Sequence, residues 1–287
     1  MCGIIIVKMN YFERAKYFRT KKRLGQNFLI DGQTISDIIN FADIKPDDVV
    51  VEIGPGVGFV TEQLIKHAKK VIAIELDEEA IKELQKLDAP NLQIIHNDIL
   101  KQDLSELSDG KIKIVANIPY YITSPILAHL LGEIDDLNNK NRNSIKDILL
   151  MVQEEVARRM VATENSPSKQ YGLLTILSQF WADVKIMKLV GRRSFFPAPK
   201  VNSALVKLVV REKPLLKLSD YSHFRRVIKG AFSQRRKNIK NCLVSAGFEK
   251  EKVQKALQTL ALDENIRGEK LSVEMFGKLS EELKKVF

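Results

Sequence analysis

The sequence predicts an α/β protein, with a mostly parallel, doubly wound sheet that ends in an antiparallel hairpin and a small all-helical domain after it. Three observations carry this. Short apolar runs of strand length alternate with segments of helical spacing from Gln33 to Ala162, a pattern that builds parallel sheets through right-handed crossovers. A glycine-rich turn, Gly54-Pro55-Gly56-Val57-Gly58, directly follows the first long apolar run. Beyond Pro214 every apolar pattern has a helical period.

The elements follow in order. Residues 1–20 form an N-terminal extension, and Thr20–Asp31 is a polar approach ending in the apolar anchor Phe28–Ile30. Gln33–Phe41 places Ile35, Ile38, Ile39 and Phe41 at helical spacing, Pro46-Asp47-Asp48 is a turn, and Val49–Ile53 reads as a buried strand. Helices are expected at Val60–Ala68, Glu78–Leu87, Ser124–Leu131 and Glu154–Ala162. Strands are expected at Val71–Glu75, Leu92–His96, Lys111–Ala116 and Asp147–Val152. Ala182–Val190 and Ser203–Val210 are β-rich and flank the Pro197/Pro199 loop, so they form the hairpin. Asn138–Asn143 and Glu164–Gln170 read as loops. Helices at Tyr221–Phe232, Lys237–Ala246, Lys250–Leu260 and Val273–Val286 complete the chain. The change of pattern at Arg211–Ser219 divides an α/β domain, 21–212, from a helical domain, 213–287.

Composition narrows the function. Of 287 residues 45% are hydrophobic, enough for a sizeable core. No apolar run approaches the roughly 18 residues of a membrane helix, and Ile4–Val7 is too short for a signal-peptide core. Cys2 and Cys242 cannot build a disulfide framework or a cysteine zinc site, and the four histidines are scattered, so no metal is expected. These features predict a soluble protein of a reducing, cytoplasmic compartment. The net charge of +10 is uneven: +6 in Met1–Arg23, −8 in Leu24–Gly191, +12 in Arg192–Lys250 and zero in Glu251–Phe287. An acidic body between two basic segments suits a polyanion, RNA or DNA, although solvated surface alone would give basic segments too.

The motifs sit at strand ends. Glycines after Glu52-Ile53 allow a tight turn and close approach of a nucleotide-like ligand, as in binders of NAD, FAD or S-adenosylmethionine. No Gly-Lys-Ser/Thr follows, which excludes a P-loop. Glu75, at the end of the second strand of this set, can accept ribose hydroxyls. Asn97-Asp98-Ile99 offers an acceptor for an adenine amino group and an apolar neighbour for the ring. In Asn117-Ile118-Pro119-Tyr120, Pro119 keeps Ile118 extended, so the Asn117 amide oxygen and the Ile118 carbonyl can accept from one amino group. Tyr120 offers a face for a base to stack on.

From about Lys22 to Val286 the chain resembles the ribosomal RNA adenine dimethyltransferases of the KsgA (RsmA) type. The matching segments are Leu24–Leu29, Glu52–Gly58, Glu75, Asn97-Asp98-Ile99, Asn117–Tyr120, Gln153–Ala157, Phe195–Val201 and Ala231–Lys237. The resemblance implies a class I methyltransferase fold. It also implies transfer of methyl groups from S-adenosylmethionine to N6 of two adjacent adenosines near the 3′ end of small-subunit rRNA, leaving S-adenosylhomocysteine. It further implies that Asn27, Leu29, Gly54, Gly56, Glu75, Leu76, Asp98, Ile99 and Asn117 line the cofactor pocket. Asn117 and Ile118 would grip the target amino group, and Tyr120 and Phe195 would sandwich the base. A role in small-subunit assembly, a precursor of that subunit as partner, a monomeric state and no membrane association are expected with it. Large-subunit enzymes of the macrolide-resistance type share two of these signatures but generally lack the Gly-Pro-Gly loop and the Phe-Ser-Gln-Arg-Arg-Lys segment. A non-catalytic assembly factor on the same fold is the other alternative, and a DNA adenine methyltransferase fits the C-terminal region poorly. Nothing in the resemblance assigns a role to residues 1–20.

Phosphate contacts are expected from Arg235, Arg236 and Lys237, with Arg225 and Arg226 on the preceding helix. Lys22, Arg23, Arg192, Arg193 and Lys200 complete the set of basic candidates.

Overall fold

The computed structural model describes residues 10–18, 26–119, 122–234 and 236–285. Tyr120, Lys22, Arg23 and Arg235 lie outside the described residues, as does most of the N-terminal extension. Two compact units emerge, one of residues 1–126, 144–154 and 186–207, the other of 127–143, 155–185 and 208–287. The second unit thus takes in two segments from the middle of the chain as well as its C-terminal part.

The first unit opens with α1 (Tyr11–Tyr17) and the two-residue strand β1 (Phe28–Leu29). Asp31 caps α2 (Gly32–Ala42) by accepting from the Gln33 amide, and Asp43 ends it in a left-handed conformation. Then follow β2 (Val49–Ile53), α3 (Thr61–His67), β3 (Lys70–Glu75), α4 (Glu78–Gln85), β4 (Leu92–His96), β5 (Ile112–Asn117) and α5 (Thr123–Leu131). The short α6 (Lys140–Ser144) occupies the expected polar loop, and β6 (Ile145–Gln153) and α7 (Glu154–Met160) follow it. An unforeseen helix, α8 (Leu173–Trp181), which belongs to the second unit, precedes β7 (Ala182–Val190), β8 (Phe195–Phe196) and β9 (Ser203–Val210) in the chain.

The main sheet has the order β4-β3-β2-β5-β6-β9-β7, and β1 pairs antiparallel with β8. The pairs β3–β4, β2–β3, β2–β5 and β5–β6 are all parallel. Strand order reverses between β2 and β5, which places the switch-point crevice of an open α/β sheet beyond their carboxyl ends. Val50, Val51, Val71, Ile72, Ile114 and Leu150 are fully or almost fully buried, as strands covered by helices on both faces require. At the opposite, amino end, the buried Lys113 donates to the carbonyls of Ala42 and Asp43 and pairs with Asp48 at 2.8 Å.

In the second unit α9 (Tyr221–Ala231), α10 (Ile239–Ser245), α11 (Lys250–Thr259) and α12 (Val273–Lys285) pack around Phe224, Val227, Leu243, Leu257 and Phe276. Phe180 of α8 lies 5.6 Å from the Phe224 ring. Arg142 is buried over the Trp181 ring and donates to the carbonyls of Leu131, Asp136 and Leu137. It thereby caps the end of α5 and holds the loop after it.

Candidate active site

Register alone gathers the predicted residues. Ile53 pairs with Ile74 and Ala116, and Glu75 pairs with His96. Gly54, Glu75, Asn97 and Asn117 therefore end at one level of the sheet, at its carboxyl edge. A cavity opens there, lined among others by Asn27, Leu29, Gly54, Gly56, Glu75, Leu76, Asp98, Ile99, Asn117 and Ile118. Gly54, Gly56 and Gly58 have φ of 65°, 57° and 84°, conformations that a side chain makes costly. At Gly56 a Cβ would also stand 2.9 Å from the Phe28 ring, so this glycine lets the ring seat against the turn.

Two buried carboxylates frame the turn. Oε1 of Glu75 accepts from the amides of Leu76 (2.8 Å) and Asp77 (2.9 Å), and Oε2 accepts from Gly56 (3.0 Å). One carboxylate thus ties β3 to the glycine turn and keeps acceptor capacity on Oε2 for a ligand hydroxyl. Burial raises the Glu75 carboxyl above its ordinary range, opposed by those three backbone hydrogen bonds. Glu52 accepts a hydrogen bond from the Thr61 hydroxyl at 2.6 Å. Burial pushes its carboxyl up to about 8, with the Thr61 bond opposing and the charge of Glu75 adding.

The folded chain therefore holds the Glu52 proton up to pH about 8, whereas an unfolded chain releases it near the ordinary 4.5. Stability must fall as pH rises between those values, because the native state binds more protons there. Glu52→Gln lacks this fall. In thermal melts of ligand-free protein it should raise the midpoint more at pH 8.5 than at pH 5.5, and an equal shift at both would contradict a protonated Glu52.

Asn117 makes the most informative contact. Its Nδ2 donates to the Asn27 carbonyl at 3.3 Å, which fixes the amide and leaves Oδ1 as its acceptor. Asp98 spends one oxygen, Oδ1, on the Leu100 amide at 3.0 Å. Leu76, just over half exposed, provides an apolar surface beside Glu75. Phe195 is not brought to the cavity. Phe195 pairs with Leu29 in the β1–β8 strip, shares its hydrophobic core and is 3% exposed.

The profile of the family described as "Ribosomal RNA adenine dimethylase" matches residues 17–285. The chain belongs to this family. A protein of Clostridium acetobutylicum named "Ribosomal RNA small subunit methyltransferase A" is 42% identical over 93% of this chain and 94% of its own length. One of the same name from Clostridium perfringens is 43% identical over 93% of this chain and 92% of its own. Among solved structures, a dimethyladenosine transferase from Plasmodium falciparum is 29% identical with a TM-score of 0.74, covering 89% of this chain and 96% of that one. The 23S rRNA methyltransferase ErmE is 28% identical with a TM-score of 0.68, covering 90% and 100%.

For this adenine dimethylase the family implies S-adenosylmethionine, and the pocket fits it. The acceptors of Glu75 and Asp98 and the apolar Leu76 and Ile99, all lining the cavity, match an adenosine in polarity. Among the described residues, no group of His, Cys, Asp or Glu is placed to hold a metal ion, and no helix is long and apolar enough to cross a membrane.

The basic candidates separate into two kinds. Arg192, Arg193, Lys200, Arg236 and Lys237 are exposed. Arg225 is instead engaged, pairing with Glu133 at 3.0 Å and Asp135 at 3.4 Å. Arg226 lies 4.6 Å from the centre of the Phe248 ring. Those acidic partners stand 90 or more residues away in sequence, which no local pattern reveals.

Proposed function

We propose that this chain dimethylates N6 of two adjacent adenosines in the 3′-terminal hairpin loop of small-subunit rRNA, acting as a cytoplasmic monomer on a precursor of that subunit. The observation that carries the reading is the anchored Asn117 amide at the mouth of a pocket suited to adenosine. Bound S-adenosylmethionine supplies a sulfonium methyl, an electrophile that needs no further activation. Glu75 would accept a ribose hydroxyl on Oε2, and Asp98 would accept from the cofactor's adenine amino group with Ile99 against the ring. Asn117 Oδ1 and the Ile118 carbonyl would accept both N6 hydrogens of the target, which turns the nitrogen lone pair toward the methyl and stabilises positive charge building on it. Water can take the released proton, so no side chain is assigned as general base. Tyr120 is the proposed stacking surface for the base. Phe195 would reach it only by leaving its packed position beside Leu29.

Relatives at 42–43% identity, named small-subunit rRNA methyltransferases, support the small subunit as the target. The match to ErmE favours one alternative, a large-subunit adenine, on the same chemistry. Mass spectrometry of the 3′ fragment of small-subunit rRNA, from cells with and without this protein, decides between them. Loss of the two dimethyladenosines without it is the expected result.

RNA binding has its own test. If Arg235, Arg236 and Lys237 neutralise phosphates, replacing all three by Gln should flatten the slope of log K against log salt by about 2 units, at roughly 0.7–0.9 for each phosphate no longer neutralised. Cofactor affinity should stay as in wild type. An unaltered slope would move the phosphate contacts to Arg192, Arg193 and Lys200.

A further inference from the structure

The N-terminal segment, to which the sequence assigned no role, carries one face of function-bearing contacts. Tyr11, Arg14 and Ala15 share one face of α1, Phe18 follows its last residue in extended conformation, and all four pack against other residues of the first unit. Ala15 is fully buried in its core. The Tyr11 ring lies 4.9 Å from the Phe59 ring, and the Tyr11 hydroxyl accepts from Gln63. The Arg14 guanidinium sits 4.8 Å from the centre of the same Phe59 ring and pairs with Glu62 on α3. Phe18 meets Phe28 edge to face at 5.3 Å. Phe28 and Phe59 both line the cavity, whereas Tyr11, Arg14 and Phe18 do not. The two rings belong to the walls on either side of the glycine turn, since Phe28 touches Gly56 and Phe59 directly follows Gly58.

We propose that α1 is a positioning element of the cofactor pocket: Arg14 and Phe18, outside the cavity, hold the Phe59 and Phe28 rings that form its wall. A ring confined on its outer side keeps one rotamer and one wall shape, because a close-packed interior repacks in discrete steps. Without Phe18, the Phe28 ring gains room to leave Gly56. Without Arg14, Phe59 loses its planar cover and α3 loses an ion pair in its first turn. The pocket then admits the cofactor but closes on it less tightly. The reacting atoms beyond Asn117 keep their alignment, since the rings that α1 holds belong to the cofactor wall and not to the amino-group clamp. This assignment rests on the reading of the cavity as the S-adenosylmethionine site.

The test uses the full chain with Phe18→Ala, Phe18→Tyr, Arg14→Ala and Arg14→Lys. Calorimetry with S-adenosylhomocysteine should give a Kd about fivefold higher for Phe18→Ala and Arg14→Ala, at unchanged stoichiometry. KM for S-adenosylmethionine should rise in parallel while kcat stays within about twofold of wild type. Phe18→Tyr should restore both values. Should Arg14→Ala melt below the assay temperature, Arg14→Lys supplies the same test, because it can keep the ion pair with Glu62 but offers Phe59 no planar group. Unchanged Kd in folded variants, or lower stoichiometry at wild-type Kd, would overturn the positioning role and leave α1 as scaffold. A wild-type chain that binds no S-adenosylhomocysteine would overturn the functional reading, and this assignment with it.

Discussion

Asn117→Ala should bind S-adenosylhomocysteine within about threefold of wild type yet lose about 10²–10³-fold in kcat on small-subunit particles, the usual cost of removing one preorganised hydrogen-bonding group at a reacting centre. Orientation is what the side chain supplies. Nδ2 of Asn117 is spent on the Asn27 carbonyl, so Oδ1 is the side chain's acceptor for a target amino group. Alanine deletes that acceptor and also removes the Nδ2 donor to the Asn27 carbonyl. Asn117→Asp is the sharper companion. Its carboxylate cannot donate to the Asn27 carbonyl, so the acceptor survives while its anchor is lost. Activity between those of wild type and Asn117→Ala would separate anchoring from accepting. Near-normal turnover of Asn117→Ala on authentic particles would show that the amino-group clamp is elsewhere.

The strands and helices around this site were legible because burial on both faces leaves unbroken apolar runs. Val49–Ile53, buried from Val50 to Ile53, coincides with its strand to the residue for that reason, and the partly buried edge strand Leu92–His96 coincides as well. Site position followed, since strand ends in a parallel sheet must converge on one edge. Less legible were elements without a clean period. In α8, Leu173-Leu174-Thr175-Ile176-Leu177 is a nearly unbroken apolar run of strand length, which does not by itself distinguish a strand from a helix. Helix α1 is seven residues, two turns long, too short for periodicity to stand out. Partners distant in sequence were the other gap. Arg225 looks like a phosphate contact until Glu133 and Asp135 are brought beside it, and Phe195 looks like a base-stacking ring until the pairing of β1 with β8 places it in the core.

Glu75 shows the same limit in its sharpest form, and its variants should separate two roles. Its strand-end position suggests a ligand acceptor, but the folded chain also uses it to satisfy the amides of Gly56, Leu76 and Asp77. Glu75→Ala orphans three amides at once, at about 1–3 kcal/mol for each that stays buried and unsatisfied, so it should lower the melting midpoint as well as cofactor affinity. Glu75→Gln retains one acceptor oxygen for Leu76 and Asp77 and replaces Oε2 by a donor. It should fold with a smaller loss of stability and still bind S-adenosylhomocysteine about 10–100-fold more weakly, as expected for a lost hydrogen bond to a charged group. The pH dependence gives the sign. Burial raises the Glu75 carboxyl above its ordinary range, so lowering the pH protonates it and weakens wild-type cofactor binding, whereas Glu75→Gln should respond less. Calorimetry from pH 5.5 to 8 checks this. If Glu75→Gln bound cofactor as tightly as wild type at every pH, Glu75 would be a brace for the glycine turn alone, and the ribose hydroxyls would need another acceptor.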